Sequence, residues 1–448
     1  MSSPYINPTP HVSETLVSQF KPETMSNTYK EYTYKHLKPT VPNATGALGT
    51  TWEFDVDIAT TTHVIWDKAQ FVIKYKTLKY ETAGGDAYNY LTGTSTAGAT
   101  DGFAPGAFPE GQIQKASFSI NSYPMYENTH PIEQAMVRAM VDGNALDARA
   151  FNGLMPYDGS GETAVDTRVA DSTTDKMFVK RKNHLISTNS ISIPVKNLFP
   201  CLASPEPYQR RGKHTFSLQY MSTHQYFLHI DGHTVMSLDY QIYMVIPQVK
   251  LSDSAEQKII PYMASPVVMG YNDIDIAVHN IPVGETEFTF SRGARNVNKI
   301  AIYVPDLPHA TTYVPNAKGY ASNAISASGA EITNVHIECG EFSFDTGVLL
   351  RNAGDRALNS WMLTRDAQNP HIIPYVDEQT FRNMPILVID LVKFGWDEKA
   401  YLLYGSGMFT ITCTLSTATT TASTNINIAM FRSALSTVNE DGEIKKLE

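Results

Sequence analysis

Cysteine is scarce in this sequence of 448 residues. The three cysteines, Cys201, Cys339 and Cys413, are odd in number and far apart. None belongs to a CxxC pair or to a Cys/His spacing typical of zinc sites. The pattern excludes a disulfide framework and predicts reduced core thiols in a protein made in the cytosol or nucleus.

Positive charge is also scarce. The chain carries 35 Lys and Arg against 45 Asp and Glu, which gives a net charge of -10. The first forty residues, where a basic arm could lie, hold four lysines and three glutamates, a balance of +1. Proteins that grip phosphates need clustered Lys and Arg, so we predict no sequence-specific nucleic-acid binding.

Long apolar runs are missing as well. No stretch reaches the roughly 18 consecutive apolar residues of a membrane-spanning helix. The N-terminal stretch MSSPYINPTPHV lacks the basic region and apolar run of a secretory signal. We therefore expect no transmembrane segment and no secretory leader.

The sequence also lacks the common catalytic motifs. The sequence has no GxxxxGK[ST] phosphate loop, and Gly405-Ser406-Gly407 lacks the GxSxG spacing of a nucleophile elbow, so we interpret it as a turn. Asp55 and Asp57 fall on the polar side of an alternating strand, which favours a solvated face over an acid/base pair. We predict no catalytic, cofactor-binding or metal-binding residue and no enzymatic activity.

What the sequence does contain is alternation of apolar and polar residues. TWEFDVDI (51–58), AQFVIKYKTL (69–78) and IQKASFSI (113–120) each predict a half-buried strand. One amphipathic helix is predicted from Pro131, because apolar residues from Ile132 onward recur at helical spacing. Such a pattern, with few helices to cover a parallel sheet, favours antiparallel β structure.

The two halves of the chain share a repeated sequence pattern, which we call the echo. Ile193 lies 23 positions before Phe216, and Ile386 lies 23 positions before Phe409, so both pairs are offset by 193 residues. Each half has the order of two strands, a long excursion, a strand, a helical insertion and three or four more strands. This order predicts a structural duplication.

The predicted fold class is all-β, with two tandem eight-stranded antiparallel jelly rolls, long loops and a few short helices. We divide the chain into an extended N-terminal arm (1–45), a first jelly roll (46–250), a second jelly roll (251–435) and a charged tail (436–448). A strand is expected to end at Pro247, because proline cannot donate to a ladder. Residues 251–275 are interpreted as a mixed connector.

Four segments carry a resemblance to a known family: NSISIPVKNLFPCL (189–202), GKHTFSLQY (212–220), TVMSLDYQIYMVIPQVKLS (234–252) and FRNMPILVIDLVKFGWDE (381–398). They resemble segments of the double jelly-roll major capsid proteins of Polinton (Maverick)-type viruses, adintoviruses and virophages, and more distantly those of adenovirus hexon. The sequence departs from the family at Val392, where a serine is usual.

The resemblance implies a viral major capsid protein. In that family three copies form a pseudo-hexameric homotrimer, and the trimers tile an icosahedral shell around a DNA genome. The implied partners are neighbouring capsomers, penton proteins and minor or cement proteins. The implied location is the virion, with synthesis in the host cytoplasm and assembly in the nucleus or cytoplasm.

Two other interpretations stay open at this point. A penton (vertex) subunit would have a single jelly roll split by an insertion domain, and the echo at 193 residues counts against it. A carbohydrate-binding β-sandwich would need surface tryptophans or paired carboxylates in a groove. The chain has only four tryptophans, Trp52, Trp66, Trp361 and Trp396, and Trp52 lies on the apolar side of a predicted strand.

The segment HIDGH, with His229, Asp231 and His233, is the best candidate for a metal site, since His and Asp ligate metals. Asp231-Gly232 is a strong hairpin signal, so we predict a tight turn instead. Changing both histidines to Ala is expected to leave assembly intact, because a turn needs no imidazole. Size-exclusion chromatography of variant and wild type, with and without a chelator, checks this. Loss of wild-type assembly on adding chelator would establish the metal site.

Overall fold

A computed structural model describes the chain over a series of segments. They are residues 29–40, 47–58, 62–82, 87–89, 94–95, 103–105, 108–142, 185, 188–203, 212–222, 227–229, 233–257, 267–305, 321–322, 332–347, 353–371, 386–396, 407–415, 424–438 and 444–447.

The described part of the first half contains thirteen strands and two helices with described bounds. The strands are β1 (Tyr29–Leu37), β2 (Thr51–Ile58), β3 (His63–Val64), β4 (Gln70–Thr82), β5 (Ala87–Asn89), β6 (Thr94–Ser95), β7 (Phe103–Pro105), β8 (Ile113–Ile120), β9 (Tyr123–Asn128), β10 (Ser190–Pro194), β11 (Gly212–Tyr220), β12 (Phe227–His229) and β13 (His233–Leu251). The helices are α1 (Pro131–Asp142) and α2 (Val195–Leu198), and a 3-10 turn (Pro200–Leu202) follows α2.

Among the described residues, the second half contains ten strands, one long helix and a short helical stretch at residues 253–257. The strands are β14 (Val267–Ile281), β15 (Glu287–Ala294), β16 (Val297–Pro305), β17 (Ala321–Ser322), β18 (Ile332–Cys339), β19 (Phe342–Asp345), β20 (Leu387–Asp390), β21 (Gly407–Leu415), β22 (Thr424–Val438) and β23 (Ile444–Leu447). The helix is α3 (Ala353–Ala367), and a 3-10 turn (Val392–Phe394) follows β20.

Eight strands in each half pair by one scheme: first with eighth, second with seventh, third with sixth and fourth with fifth. In the first half these pairs are β1–β13, β2–β11, β4–β10 and β8–β9. In the second half they are β14–β22, β15–β21, β16–β20 and β18–β19. Two jelly rolls therefore stand in tandem, which confirms the predicted fold class. We name them the N roll and the C roll.

Each roll consists of two sheets. Sheet N1 contains β1, β13, β4 and β10, and sheet N2 contains β2, β11, β8 and β9. Sheet C1 contains β14, β22, β16 and β20, and sheet C2 contains β15, β21, β18 and β19. The remaining short strands extend the edges of these sheets or pair with each other.

The N roll closes around aromatic side chains, because strand alternation points one side of each sheet inward. In β2 the burial alternates as predicted, with Phe54 fully buried. Phe216 of β11 stacks on Phe118 of β8 at 4.7 Å between ring centroids, and it meets Phe71 of β4 edge-on at 6.0 Å. Offset and edge-on geometries of this kind are the favourable ones for aromatic pairs, so the core joins both sheets.

The C roll has a smaller aromatic content and a core dominated by aliphatic side chains such as Ile300, Ile389, Ile411 and Ile428. The residues of the sequence echo match only in part. Phe216 and Phe409 both point inward from the seventh strand of their rolls. Ile193, in the sixth strand of the N roll, also points inward, whereas Ile386 lies just before the sixth strand of the C roll and faces the outer side of sheet C1. The common order of the strands therefore shows the duplication, while the offset of 193 residues does not align every equivalent residue.

Four expectations about segment ends differ from the structure. Tyr29–Leu37 of the predicted arm is strand β1 of sheet N1, and Val267–Ile281 of the predicted connector region is β14. Strand β13 continues past Pro247 to Leu251, since the Pro247 carbonyl still accepts a hydrogen bond from Ile65 N at 3.1 Å. In the predicted tail, Ile444–Leu447 pairs with β22. The division into four segments otherwise stays a prediction.

Two histidines of the N roll are buried. His63 in β3 is 1% exposed, and neither ring nitrogen has a hydrogen-bond partner among the described residues. His214 in β11 is fully buried, with its ring 5.8 Å from Trp66 and 5.9 Å from Phe118. Burial lowers the pKa of each to about 4, because a charged imidazolium would lose its hydration there.

These histidines predict acid sensitivity of the N roll. In the unfolded chain the two histidines bind protons below about pH 6.5, whereas in the folded chain they do so only near pH 4. The free energy of unfolding therefore falls as the pH drops from about 6.5 to about 4. Each histidine contributes a slope of about 1.4 kcal/mol per pH unit there. Replacing His214 by Phe should remove about half of the histidine-dependent slope. Urea unfolding at stepped pH measures it, and equal slopes for variant and wild type would contradict the prediction.

Candidate functional site

The two rolls meet at a junction built around sheet C1. One side of this sheet faces the core of the C roll, and the other side packs against helices. Val388, Ala301, Ala429 and Ile276 form a row across that outer side, and all four are buried. A strand buried on both faces has a nearly continuous apolar sequence, as in the run Ile426–Phe431 of β22, where Asn427 is the one polar residue.

Helix α1 of the N roll covers this outer side. It starts at Pro131, which suits the first turn because proline lacks an N–H, and it presents an apolar face. One apolar cluster joins α1 and Phe108 of the N roll to α3 and sheet C1 of the C roll. Its buried members are Phe108, Ala135, Met136, Val137, Met140, Val141, Ile274, Ile276, Ala301, Tyr303, Trp361, Ala367, Ile386, Val388, Ala429 and Phe431.

The ends of the helices are tied together. The last carbonyls of a helix have no partner within the helix. The carbonyl of Val141 in α1 accepts a hydrogen bond at 3.1 Å from the backbone N–H of Asn369, just after α3. On the other side of α3, the hydroxyl of Thr364 donates to the carbonyl of Ile386 at 3.2 Å and accepts from the N–H of Val388 at 3.1 Å. These bonds fix α1 and α3 against sheet C1.

A buried carboxylate anchors the polar part of the junction. Asp273 of β14 is 7% exposed and accepts from Nη2 and Nε of Arg432 at 2.7 and 3.0 Å. The phenol of Tyr126, from β9 of the N roll, donates to Asp273 at 2.9 Å. Burial raises the pKa of Tyr126, and the nearby Asp273 raises it further, so the phenol stays protonated and keeps donating. The bond therefore joins the two rolls directly.

Two amides extend this contact. Gln134 of α1 donates through Nε2 to the backbone carbonyl of Ile274 at 2.9 Å. Its Oε1 accepts from Asn128 at 2.9 Å, and Asn128 also donates to the carbonyl of Leu198 at 3.2 Å. Buried amides need all their hydrogen bonds satisfied, and this chain of contacts satisfies them across both rolls.

A cavity of about 520 Å³ opens beside the Asp273 pair. Its walls come from β9 and α1 of the N roll and from β14, β22 and the β15–β16 turn of the C roll. Asp275 pairs with Arg292 at 2.7 Å, and the Glu133 carboxylate raises the pKa of His130. The charged groups of the wall mostly neutralise each other, so the arrangement suits adhesion between the rolls.

The residues singled out by sequence lie elsewhere. Asp55 is half-buried on the outer side of sheet N2, where it pairs with Lys213 at 2.8 Å and accepts from the Thr215 hydroxyl at 2.8 Å. Asp57 on the same side is exposed. Gly407 begins β21, while Gly405 and Ser406 lie outside the described residues. His229 ends β12 and His233 begins β13, whereas Asp231 lies outside the described residues, so the predicted turn stays a prediction.

Cys201, Cys339 and Cys413 are buried, as expected for core thiols, and burial raises the pKa of Cys413. The four tryptophans are also buried. Across the segments that the structure describes, no group of three or more His, Cys, Asp or Glu is placed to hold a metal ion. Over the same segments no helix is long and apolar enough to cross a membrane.

Sequence reasoning missed Tyr126, Asp273 and Arg432. Tyr126 and Asp273 are 147 residues apart, and Asp273 and Arg432 are 159 apart, so no local spacing links them. The one available signal was the position of Asp273 and Asp275 on either side of the apolar Ile274 in β14, which required that strand to be recognised first.

The contacts of Asp273 are expected to stabilise the junction between the two rolls. Replacing Asp273 by Ala leaves Arg432 and Tyr126 without their acceptor and should lower the free energy of unfolding by about 2–4 kcal/mol. Glu31→Ala is the matched control, since its ion pair with Lys250 is exposed and such pairs contribute about 0–1 kcal/mol. Denaturant unfolding of both variants checks this, and equal losses would contradict it.

Several solved structures share this architecture. No protein-family model and no curated protein sequence matches the chain. Among solved structures, the mavirus major capsid protein superposes with a TM-score of 0.57 at 11% identity, covering 92% of this chain and 90% of that one.

A chain of the Sputnik virophage gives a TM-score of 0.59 at 11% identity, with 94% and 88% covered. The Faustovirus major capsid protein gives 0.51 at 9% identity, with 93% and 91% covered. The alignments thus span both rolls, and they confirm the resemblance noted in the sequence: this chain has the double jelly-roll fold of virophage and giant-virus major capsid proteins.

Proposed function

We propose that this protein is a viral major capsid protein, structural and not enzymatic, whose homotrimers form pseudo-hexameric capsomers that tile an icosahedral shell around a DNA genome. Its partners would be neighbouring capsomers together with penton and minor or cement proteins. Its site of action would be the virion, after synthesis in the host cytoplasm and assembly in the nucleus or cytoplasm.

The observation that carries this proposal is the junction. Two rolls with the same pairing scheme are held side by side by a shared apolar cluster and by the Tyr126–Asp273 bond. A capsid subunit needs two rolls held rigidly in this way, because its shape must stay constant when it packs against neighbouring subunits. Three chains supply six rolls, which is the number that a pseudo-hexagonal outline requires.

Charge and composition support the same function. A net charge of -10 suits a container that encloses DNA without clamping it. The outer face of sheet C2 carries hydroxyl side chains, such as those of Thr289 and Thr412, whose hydroxyls lie 3.1 Å apart.

The two other interpretations lose their support. A penton subunit with an insertion domain would contain one roll, whereas this chain contains two complete rolls in tandem. A carbohydrate-binding sandwich would present tryptophans at its surface, whereas all four lie in the interior, Trp361 being the most exposed at 9%.

Light scattering of the purified full chain, coupled to size-exclusion chromatography, tests the proposal. We expect about 150 kDa, which is three times 49.6 kDa. Negative-stain images should show six-lobed outlines. A species near 250 kDa with five-fold outlines would replace the trimer by a penton, and a monomer at every concentration and salt condition would overturn the proposal.

A further inference from the structure

Sheets N1 and C1 are equivalent in the two rolls but differ in what covers them. The row Val388–Ala301–Ala429 on the outer side of sheet C1 is buried under helices. The matching row in sheet N1, Ser192–Val72–Tyr243, is only half-buried. The outer face of sheet C1 is therefore covered by other elements of the chain, whereas the equivalent outer face of sheet N1 is partly exposed to solvent.

The open face continues onto strand β1. Tyr34 is 60% exposed and Tyr32 is 42% exposed, with their rings edge-on at 5.4 Å, and His36 stacks on Tyr243 at 5.9 Å. We call Val72, Tyr243, Tyr32 and Tyr34 the N1 face. Exposed aromatic side chains on a sheet edge are typical of interfaces, since they bury large area at a small loss of conformational freedom.

The C roll offers a second apolar surface. Met362 of α3 is 57% exposed, and Val392 and Phe394 in the turn after β20 are 39% and 40% exposed. The ring of Phe394 packs on Phe344 at 4.4 Å. The turn lies beside the last part of α3, because Lys393 donates a hydrogen bond to the carbonyl of Asp366. We call Met362, Val392 and Phe394 the C-roll face.

The equivalent turn and helix of the N roll are already buried against the C roll of the same chain. The turn Pro200–Leu202, which follows α2 and β10, is buried and contacts β14 of the C roll. Helix α1, the counterpart of α3, contacts β14 and covers sheet C1. Within one chain, then, the helix and turn of the N roll pack on the first strand and outer sheet of the next roll.

We propose that the same contact repeats between copies: the C-roll face of one chain covers the N1 face of the next. The inference rests on the proposed function and names the partner, a second copy of this chain, and the surfaces involved. The contact is heterologous, because each copy contributes two different faces. Heterologous contacts close into a ring when the rotation allows it, and two rolls per chain make a ring of six rolls from three chains.

Two single variants test the two faces. Tyr34→Glu and Phe394→Glu each place a charge in the centre of one face, and the trimer should dissociate at a protein concentration at least tenfold higher than the wild type requires. Val283→Glu is the matched control. Val283 is 54% exposed in the β14–β15 turn, at the Ile281 end of β14 and far from Asp273, so the trimer should persist. Circular dichroism melting confirms that all three variants fold.

Mixing the two variants tests the head-to-tail arrangement. Each has one intact face, so Tyr34→Glu and Phe394→Glu chains together should form a 1:1 pair of about 100 kDa, twice 49.6 kDa, that neither forms alone. A pair formed by Phe394→Glu alone would instead indicate an interface in which the N1 face binds itself, and the inference would be wrong.

The outcomes separate this inference from the proposed function. If the wild type is trimeric and both single variants remain trimeric at the same concentration as the control, the proposed function stands and the assigned faces are wrong. If the wild type never forms a trimer, the proposed function itself fails. Selective loss of the trimer in both face variants, with recovery of a pair on mixing, supports both.

Discussion

Burial of sheet C1 on both sides is the constraint on which the rest of the structure depends. A sheet with two apolar faces must be covered twice. The C roll covers one side with its own core, and α1 from the N roll, together with α3, covers the other. The relative position of the rolls is therefore fixed by the need to keep one continuous apolar sheet away from water, and the polar contacts around Asp273 fit within that arrangement.

The duplication explains both the similarity of the rolls and their difference. The pairing scheme is the same in both, and the seventh strand of each roll points a phenylalanine inward, Phe216 or Phe409. The outer side of sheet N1, by contrast, keeps Lys74 and Ser192 where sheet C1 has buried aliphatic residues. The two copies have thus adapted to different neighbours while keeping the same framework.

The predictability of each element followed from its surroundings. Strands with one buried side, such as β2 and β8, alternate clearly and were predicted with their exact bounds. The first strand of each roll was missed. The described side chains of β1 are exposed from Lys30 to His36, so no alternation exists, and β14 interrupts its apolar residues with Asp273 and Asp275. The junction could not be predicted, because Asp273 is buried only by virtue of partners far away in the sequence.

The position of α1 in the first half has a consequence for synthesis on the ribosome. All eight strands of the N roll precede residue 252, so this roll can complete its ladders before the C roll is made. Helix α1 is then in place when β14, β16 and β22 emerge, and the apolar outer side of sheet C1 meets a ready surface. Domains generally fold as units from the N-terminus during synthesis, and apolar surface that is exposed in the meantime is prone to aggregation. We therefore expect this order of the two rolls to shorten the time for which the more apolar sheet is exposed in the nascent chain.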